Sequence, residues 1–227
     1  MSERTTPKTV FLLAYDDCDQ LDITGPYEVL TQAGSMLGDA KQPGPDVRIV
    51  SVPGTTADPN GLVRASTGLQ FQSQLWTTDD QPDVLIVAGG LLEDQNGNPA
   101  GIGKLKDSPP FTERITAQHA CGRTVVSICT GAFGVVGAKI TAGRHLTSHP
   151  GVLDLLAEFA ATVNPPGDPV RLVNPDWEAR VVDAGDLISC GGVSSGIDEA
   201  FYLINAFWGQ SLEYQVRSFI DYPYRGV

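Results

Sequence analysis

The sequence predicts a doubly wound α/β fold, flavodoxin-like in architecture, with a mostly parallel sheet and helices on both faces. One observation is a set of short runs that are apolar on consecutive residues, at 9–15, 83–87 and 124–128. Strands covered on both faces have this pattern. A second is that segments with helical spacing alternate with these runs. A third is that glycines, hydroxyls and a cysteine gather where strands end.

The first strand, residues 9–15, leads through a polar turn into a helix. Thr24 is expected to cap this helix, with Pro26 in the first turn, where the missing N–H costs nothing. Asp22 lies just ahead, between two apolar neighbours, and is therefore expected to point into the fold. The sequence leaves two roles open for its carboxylate, a helix cap or a working acid.

A second strand is predicted at 47–52 and a small hairpin around 66–68. The buried strand at 83–87 ends in Ala88-Gly89-Gly90, and two glycines there let the backbone approach a ligand and aim N–H groups at it. Residues 93–110 are rich in Asn, Gly and Pro. They are expected to form a loop, either over the edge of a pocket or as a solvated insertion.

The central segment is the most informative part of the chain. A helical pattern at 111–121 precedes a β-branched strand, which stops at Cys129-Thr130-Gly131 before another helix. This strand, turn and helix would form a nucleophile elbow: the N-terminus of the helix favours thiolate over thiol, and Gly131 leaves room for a tight turn and for substrate. Cys129 is therefore a candidate nucleophile. The alternative is a buried cysteine that packs as a small hydrophobe.

The last third predicts a helix at 151–161, two short strands around an acidic turn at 181–189, and a helix that follows the glycines at 191–192. Ser194, Ser195 and Asp198 lie at the start of that helix. They either line an active site or serve the helix, the serines as caps and the aspartate by favouring its dipole.

Composition limits the function classes. The 227 residues suit one large domain, 1–227, and a net charge of −12 argues against binding a phosphate backbone. The four cysteines form no C-x-x-C pair, which favours reduced thiols in a cytoplasm. No apolar run approaches the roughly eighteen residues of a membrane span. We expect a small-molecule substrate, no nucleic acid and no membrane partner.

Four motifs together resemble the ThiJ/PfpI superfamily, which shares the class I glutamine amidotransferase-like fold, and within it the isonitrile hydratases. They are Q-L-D-I-T-G-P at 20–26, A-G-G at 88–90, S-I-C-T-G at 127–131 and G-G-V-S-S-G-I-D at 191–198. The resemblance implies that Cys129 is the nucleophile and that the Asp22 carboxyl lies against its thiol. It implies oxyanion-hole-like donors in the backbone N–H groups of Gly90 and Thr130.

By the same resemblance Gly89, Ser194 and Ser195 belong to the substrate site. Thr130 occupies the position where peptidase-like members carry His, which argues against proteolysis. The chain departs from the hydratase pattern at Ala88, where a proline is usual, in the length of the 93–110 loop and in the stretch 147–150. His149, twenty residues after Cys129, either assists the thiol or is structural.

The resemblance implies a hydro-lyase that hydrates an isonitrile to an N-substituted formamide through a covalent thioimidate, without metal or organic cofactor. Asp22 would supply a proton and then help to activate water, which requires it to hold a proton near neutrality. It also implies a homodimer.

The rival readings are a glyoxalase or deglycase acting on α-oxoaldehydes, a redox or stress sensor with an exposed, low-pKa Cys129, and a ligand-sensing domain. AraC-type regulators carry such a domain followed by a helix-turn-helix module. This chain has no room for one after the fold, which favours an enzyme.

Overall fold

The computed structural model describes residues 5–77, 81–174 and 180–223. Its strands are β1 (Thr9–Leu13), β2 (Asp46–Ser51), β3 (Leu62–Arg64), β4 (Gln70–Gln72), β5 (Gln74–Leu75), β6 (Val84–Val87), β7 (Thr124–Ile128), β8 (His145–Leu146), β9 (Arg171–Leu172), β10 (Val181–Asp183) and β11 (Leu187–Cys190). Its helices are α1 (Gln20–Asp39), α2 (Gly101–Leu105), α3 (Pro109–Ala120), α4 (Ala132–Gly137), α5 (Leu153–Val163), α6 (Ser195–Trp208) and α7 (Gln210–Phe219).

Seven strands form the central sheet in the order β10-β11-β7-β6-β1-β2-β5. Every neighbouring pair is parallel except β10 and β11, which form an antiparallel hairpin at one edge. The predicted fold class is therefore confirmed. The carboxyl ends of β1, β6, β7 and β11 lie side by side at one edge of the sheet, where ligands bind in open α/β sheets.

The strands at the centre of the sheet are buried on both faces. All four residues of β6 are buried, and the two-residue alternation of a half-exposed strand is absent. Helices α1, α6 and α7 pack against one another, and a second group is built from α2, α3, α4 and α5. The hairpin predicted around residues 66–68 is confirmed as β3 and β4. Within the described residues, no helix combines the length and apolar character needed to cross a bilayer.

The start of α1 differs from the prediction. Asp19 caps the helix, its side chain accepting a hydrogen bond from the Leu21 N–H at 2.9 Å. Thr24 is inside the helix, where its hydroxyl donates to the Gln20 carbonyl at 2.8 Å. The prediction of a Thr24 cap is wrong because an Asp five residues earlier satisfies the first N–H groups. Pro26, which has no N–H to offer the carbonyl of Asp22, lies in the second turn rather than the first.

The segment 93–110 is not one long loop. It contains α2 and the start of α3, so its irregular parts are 93–100, which includes a turn around Asp94, and the short link 106–108. The Asp94 carboxylate accepts hydrogen bonds from the N–H groups of Asn96 and Asn98, at 2.8 and 2.9 Å. Two of the glycines that suggested a loop are needed for close approach: a Cβ on Gly101 would lie 2.8 Å from the carbonyl oxygen of Leu91, and one on Gly103 would lie 1.8 Å from that of Leu92.

Candidate active site

Cys129 lies at a sharp turn immediately after β7. Its φ of +54° is a left-handed conformation that non-glycine residues seldom adopt, and residues 129–131 form a single 3-10 turn before α4. The turn is held from both sides, because the Cys129 N–H donates to the Gly191 carbonyl at 3.0 Å and the Ser148 hydroxyl donates to the Cys129 carbonyl at 2.7 Å. The strained backbone points to an elbow that presents the thiol.

The elbow requires glycine at position 131. A Cβ there would lie 2.3 Å from the carbonyl oxygen of Val87, at the end of the neighbouring strand β6. Cβ atoms do not approach backbone oxygens this closely, so any side chain would force β6 and the elbow apart. The sequence-based expectation that Gly131 permits the tight turn agrees with this geometry.

The thiol of Cys129 is held as a neutral thiol rather than as a thiolate. Burial, followed by the negative charge of Asp22, raises the pKa of Cys129 to about 12, while hydrogen bonds from the Val193 and Thr130 N–H groups oppose the shift. Burial thus opposes the expectation that the helix N-terminus favours thiolate. Helix α4 is only six residues long and Cys129 is 6% exposed.

Val193 contributes a second strained position to the site. Its φ is +31°, an unusual value for a β-branched residue, and this conformation directs its N–H at the sulfur of Cys129. Two backbone N–H groups, from Thr130 and Val193, therefore converge on the thiol from different segments. They are suited to stabilise negative charge that develops on sulfur during a reaction.

Asp22 is the buried acid of the site. It lies in the first turn of α1 with 0% of its surface exposed, which confirms that it points into the fold and excludes it as the cap. Its Oδ2 accepts a hydrogen bond from the Gly89 N–H at 2.8 Å, and its Oδ1 has no hydrogen-bond partner among the described residues. Burial, with a smaller contribution from Asp19, raises the pKa of Asp22 well above its usual range.

Gly89 joins the acid to the elbow. A Cβ built on it would lie 2.8 Å from each of three polar atoms: Asp22 Oδ2, Thr130 N and Thr130 Oγ1. Asp22 and the residue that follows Cys129 therefore surround the same backbone position. Asp22 therefore lies beside the turn that carries Cys129, and the contact between its carboxyl and the Cys129 thiol that the family resemblance implies stays a prediction.

Gly90 and Thr130 are hydrogen-bonded to each other. The Gly90 N–H donates to the Thr130 hydroxyl, and that hydroxyl oxygen also lies 2.8 Å from the Gly90 carbonyl, to which it donates. The proposed oxyanion donor of Gly90 is thus occupied by a side chain in this structure. For Gly90 to serve a substrate, the Thr130 side chain would rotate away. The donor role of both N–H groups remains a prediction.

Ser194 and Ser195 face an arginine. The Arg180 guanidinium donates to the hydroxyls of Ser194 and Ser195 at 2.8 and 2.9 Å, and forms an ion pair with Asp198 at 2.6 Å. The hydroxyl of Tyr222 donates to the other oxygen of Asp198 at 3.1 Å. Ser194 occupies the cap position of α6 without a capping hydrogen bond from its side chain, so that predicted role is wrong.

This arrangement anchors the start of α6 and, through it, Val193. Sequence reasoning missed Arg180 because a single arginine ahead of a strand carries no spacing signal, and only the fold brings it to Ser194 and Ser195. It also missed Ser148, which fixes the Cys129 carbonyl, and the buried Glu199 described below.

His149 packs beside the site. Among the described residues, its ring makes no hydrogen bond to the Cys129 thiol. Its Nδ1 accepts from the Gly151 N–H at 3.0 Å, which places the proton of the neutral ring on Nε2. The ring lies against Gly192, where a Cβ would be 2.4 Å from its Cδ2. These contacts agree with the second interpretation of His149, that of a structural residue.

The site is built from side chains and backbone groups. Within residues 5–77, 81–174 and 180–223, no group of three or more His, Cys, Asp and Glu side chains is arranged to hold a metal ion. The four cysteines are free thiols, of which Cys121 is exposed and the others are buried. The chemistry that the geometry offers is a buried thiol, a buried acid whose pKa is raised by burial, and converging N–H donors.

The sequence and the fold of this chain are similar to those of known proteins. The chain is 31% identical to the isonitrile hydratase of Pseudomonas putida over 212 residues, covering 92% of this chain and 76% of that protein. The crystal structure of Drosophila melanogaster DJ-1beta superposes with a TM-score of 0.72 at 18% identity, covering 96% and 99% of the two chains. An AraC family transcriptional regulator from Pseudomonas putida superposes with a TM-score of 0.70 at 16% identity, covering 94% and 100%.

The structural similarities show a shared fold, and the family assignment comes from the sequence. The model of the DJ-1/PfpI family matches residues 8–206, a span that runs from β1 through most of α6. It includes the four segments that carry the family resemblance: Asp22, the glycines after β6, the Cys129 elbow and the start of α6. The chain therefore belongs to the DJ-1/PfpI family.

Proposed function

We propose that this protein hydrates isonitriles to N-substituted formamides, with Cys129 as the nucleophile and Asp22 as the acid and base. The observation that carries the proposal is the placement of Asp22, fully buried and with its pKa raised by that burial, beside the strained turn of Cys129. The similarity to an isonitrile hydratase over 92% of the chain supports the choice of substrate class. Burial raises the pKa of both functional groups and so favours their neutral forms, which suits an uncharged substrate.

The first step uses the proton of Asp22. The carbon of R–N≡C carries a lone pair, and protonation of that carbon by Asp22 makes it electrophilic. The Cys129 sulfur then forms a C–S bond to this carbon while the Asp22 carboxylate takes the S–H proton. The product is the thioimidate R–N=CH–S–Cys, and Asp22 has regained its proton. In net terms, one hydrogen and the Cys129 sulfur have both been added to the isonitrile carbon. The step does not require Cys129 to be a thiolate beforehand.

The second step is hydrolysis. Asp22 protonates the imine nitrogen, and its carboxylate then removes a proton from water as the water oxygen bonds to the carbon. The resulting R–NH–CH(OH)–S–Cys breaks its C–S bond, and sulfur leaves with the electron pair. The hydroxyl proton returns to sulfur, which releases R–NH–CHO and restores Cys129. The Thr130 and Val193 N–H groups stabilise charge on the departing sulfur.

The direct test is an assay with cyclohexyl isocyanide, in which the formamide is detected by mass spectrometry. Wild type should form it, Cys129→Ala should not, and Cys190→Ala, which removes a different buried thiol, should retain activity. No formamide from wild-type protein whose Cys129 is reduced would contradict the proposal. Methylglyoxal is the matched second substrate, because consumption of it alone would favour the glyoxalase or deglycase reading.

The resting state of the thiol gives an independent test. Because burial raises the pKa of Cys129 to about 12, its alkylation by iodoacetamide should accelerate with pH and show no plateau below about pH 10. Cys121→Ser removes the exposed background thiol. A plateau near pH 6 would instead indicate the low-pKa thiolate that a redox sensor requires.

We further propose that the protein is a homodimer, as the family resemblance implies. Light scattering at micromolar concentration should return about twice the 24.1 kDa chain mass. A monomer mass would contradict this part of the proposal and leave the chemistry of Cys129 unaffected.

A further inference from the structure

The loop between β11 and α6, residues 191–194, forms one wall of the Cys129 turn. The Gly191 carbonyl accepts the Cys129 N–H at 3.0 Å, so the position of this loop helps to set where the turn lies. Val193 in the same loop has a φ of +31°, a strained value that persists in a β-branched residue only where the surroundings hold it. A group outside the loop must therefore supply that restraint.

Arg180 contacts this loop at both of its ends. Its backbone carbonyl accepts the Gly191 N–H at 3.0 Å, where the loop begins. Its guanidinium donates to the hydroxyls of Ser194 and Ser195 at 2.8 and 2.9 Å, where the loop ends and α6 begins. Only two residues lie between these contacts, and one of them is the strained Val193. A single residue thus holds both ends of the segment that contains the strain.

The guanidinium of Arg180 is itself held in place. It forms an ion pair with Asp198 at 2.6 Å, and the two side chains are only 13% and 16% exposed. The Tyr222 hydroxyl donates to the other oxygen of the Asp198 carboxylate at 3.1 Å. A planar guanidinium that directs N–H groups at three acceptors has a fixed orientation. A salt bridge that stabilised α6 alone would not account for the hydrogen bond between the Arg180 carbonyl and the loop.

We propose that Arg180 is a positioning residue, which holds the 191–194 loop against the Cys129 turn and so keeps the thiol in its left-handed conformation. In this role Arg180 acts through the Gly191 carbonyl and the Val193 N–H, and not on the substrate. The restraint can be measured without substrate, and its catalytic meaning rests on the function proposed above.

The substrate-free test is amide hydrogen exchange, resolved to single residues, in Arg180→Met. Methionine keeps an unbranched apolar stem and removes all the side-chain N–H donors. The amides of Cys129, Gly191 and Ser195 are hydrogen-bonded to backbone carbonyls, and in the variant they should exchange at least about tenfold faster than in wild type. The amides of β6 should exchange at the wild-type rate, because the restraint is local.

The matched control is Arg144→Met, which removes the guanidinium paired with Asp186 at the opposite end of β11. It should leave the same three amides at their wild-type rates. If Arg180→Met does not fold, because the Asp198 carboxylate is left buried without its cation, the double variant with Asp198→Asn removes both charges and should show the same pattern. Wild-type rates at the three amides, or an equal acceleration in β6, would overturn the proposal.

Kinetics with cyclohexyl isocyanide test the catalytic part of the proposal. Arg180→Met should lower kcat roughly tenfold to a hundredfold with KM little changed, because a displaced turn misplaces the reacting sulfur. Arg144→Met should keep the wild-type kcat. An unchanged kcat in Arg180→Met would overturn the positioning role. If wild type itself forms no formamide while the exchange rates differ as expected, the proposed function fails and the restraint of the Cys129 turn stands.

Discussion

Two neighbouring parallel strands, β7 and β11, each lead to a cysteine that interacts with a buried carboxyl, and the two thiols differ in almost every other respect. Cys129 follows its strand in a left-handed turn, keeps 6% of its surface exposed and receives two backbone N–H groups. Cys190 is the last residue of its strand, is wholly buried and donates its S–H to Glu199.

The comparison separates two features. Both thiols lie near a buried acid, but only Cys129 lies in a turn that presents its thiol. Burial raises the pKa of both thiols, so acidity does not distinguish them. The distinction lies in backbone geometry: the turn lifts Cys129 out of the strand and toward the N–H groups of Val193 and Thr130. A buried thiol–acid pair without that turn serves as internal hydrogen bonding.

The largest effect expected from this comparison is on catalysis. Cys129→Ala should lower kcat/KM for an isonitrile at least about a thousandfold, because the covalent step is lost. Cys190→Ala, which removes a thiol of the same size from the adjacent strand, should change it only a few-fold. Steady-state kinetics with both purified variants measures the two changes in kcat/KM. Comparable losses of kcat/KM would mean that the turn does not distinguish Cys129 from Cys190.

The next largest effect is on the acid. Asp22→Asn keeps the shape and the hydrogen bond from the Gly89 N–H but cannot give up a proton, so kcat should fall by about 10²–10⁴ with KM little changed. The same measurement on Glu199→Gln should show a much smaller loss. An Asp22→Asn variant with full kcat would assign the proton transfer to another group.

The sequence predicted the parallel sheet, the strand ends and the elbow, because these depend on local signals: apolar runs, a β-branched strand and glycines where backbones meet. It placed the cap of α1 wrongly, because Asp19 and Thr24 are both acceptable caps and the choice depends on where the chain leaves β1. It overlooked one short helix in 93–110, α2, whose glycines Gly101 and Gly103 are needed for packing and were taken as signs of a loop.

The candidate site was predicted unevenly for a physical reason. Cys129 and Asp22 belong to compact motifs, whereas Arg180 and Ser148 act on residues far from them in sequence and only the fold brings them together. The sequence-based expectation of a lowered pKa for Cys129 took account of the helix N-terminus, which is visible in sequence, and not of the burial that raises this pKa, which is not visible there.

A smaller effect should follow from filling the space between Asp22 and Thr130. Gly89→Ala places a methyl group 2.8 Å from Asp22 Oδ2 and from two atoms of Thr130, so it should cost roughly 1–3 kcal/mol of unfolding free energy and depress activity. Gly38→Ala is the matched control: nothing lies within 4 Å of its added Cβ, and it should gain about 0.5–1 kcal/mol. Urea unfolding of both measures the contrast, which would vanish if the site were loosely packed.

The smallest predicted effect concerns Glu199 and pH. Its pKa in the folded protein is raised by burial, so the folded state holds a proton that the unfolded chain releases above about pH 4. Stability from this group is therefore full at low pH and declines as pH rises toward the folded pKa. Glu199→Gln removes the decline. It should be more stable than wild type by about 1 kcal/mol or more at pH 8 and nearly equal at pH 4.5, as judged by urea unfolding.

The control is Glu213→Gln, which breaks the buried hydrogen bond from Arg217 to a glutamate on α7 and should lose stability at both pH values. If Glu199→Gln differed from wild type equally at pH 4.5 and pH 8, Glu199 would not carry the extra proton in the folded state.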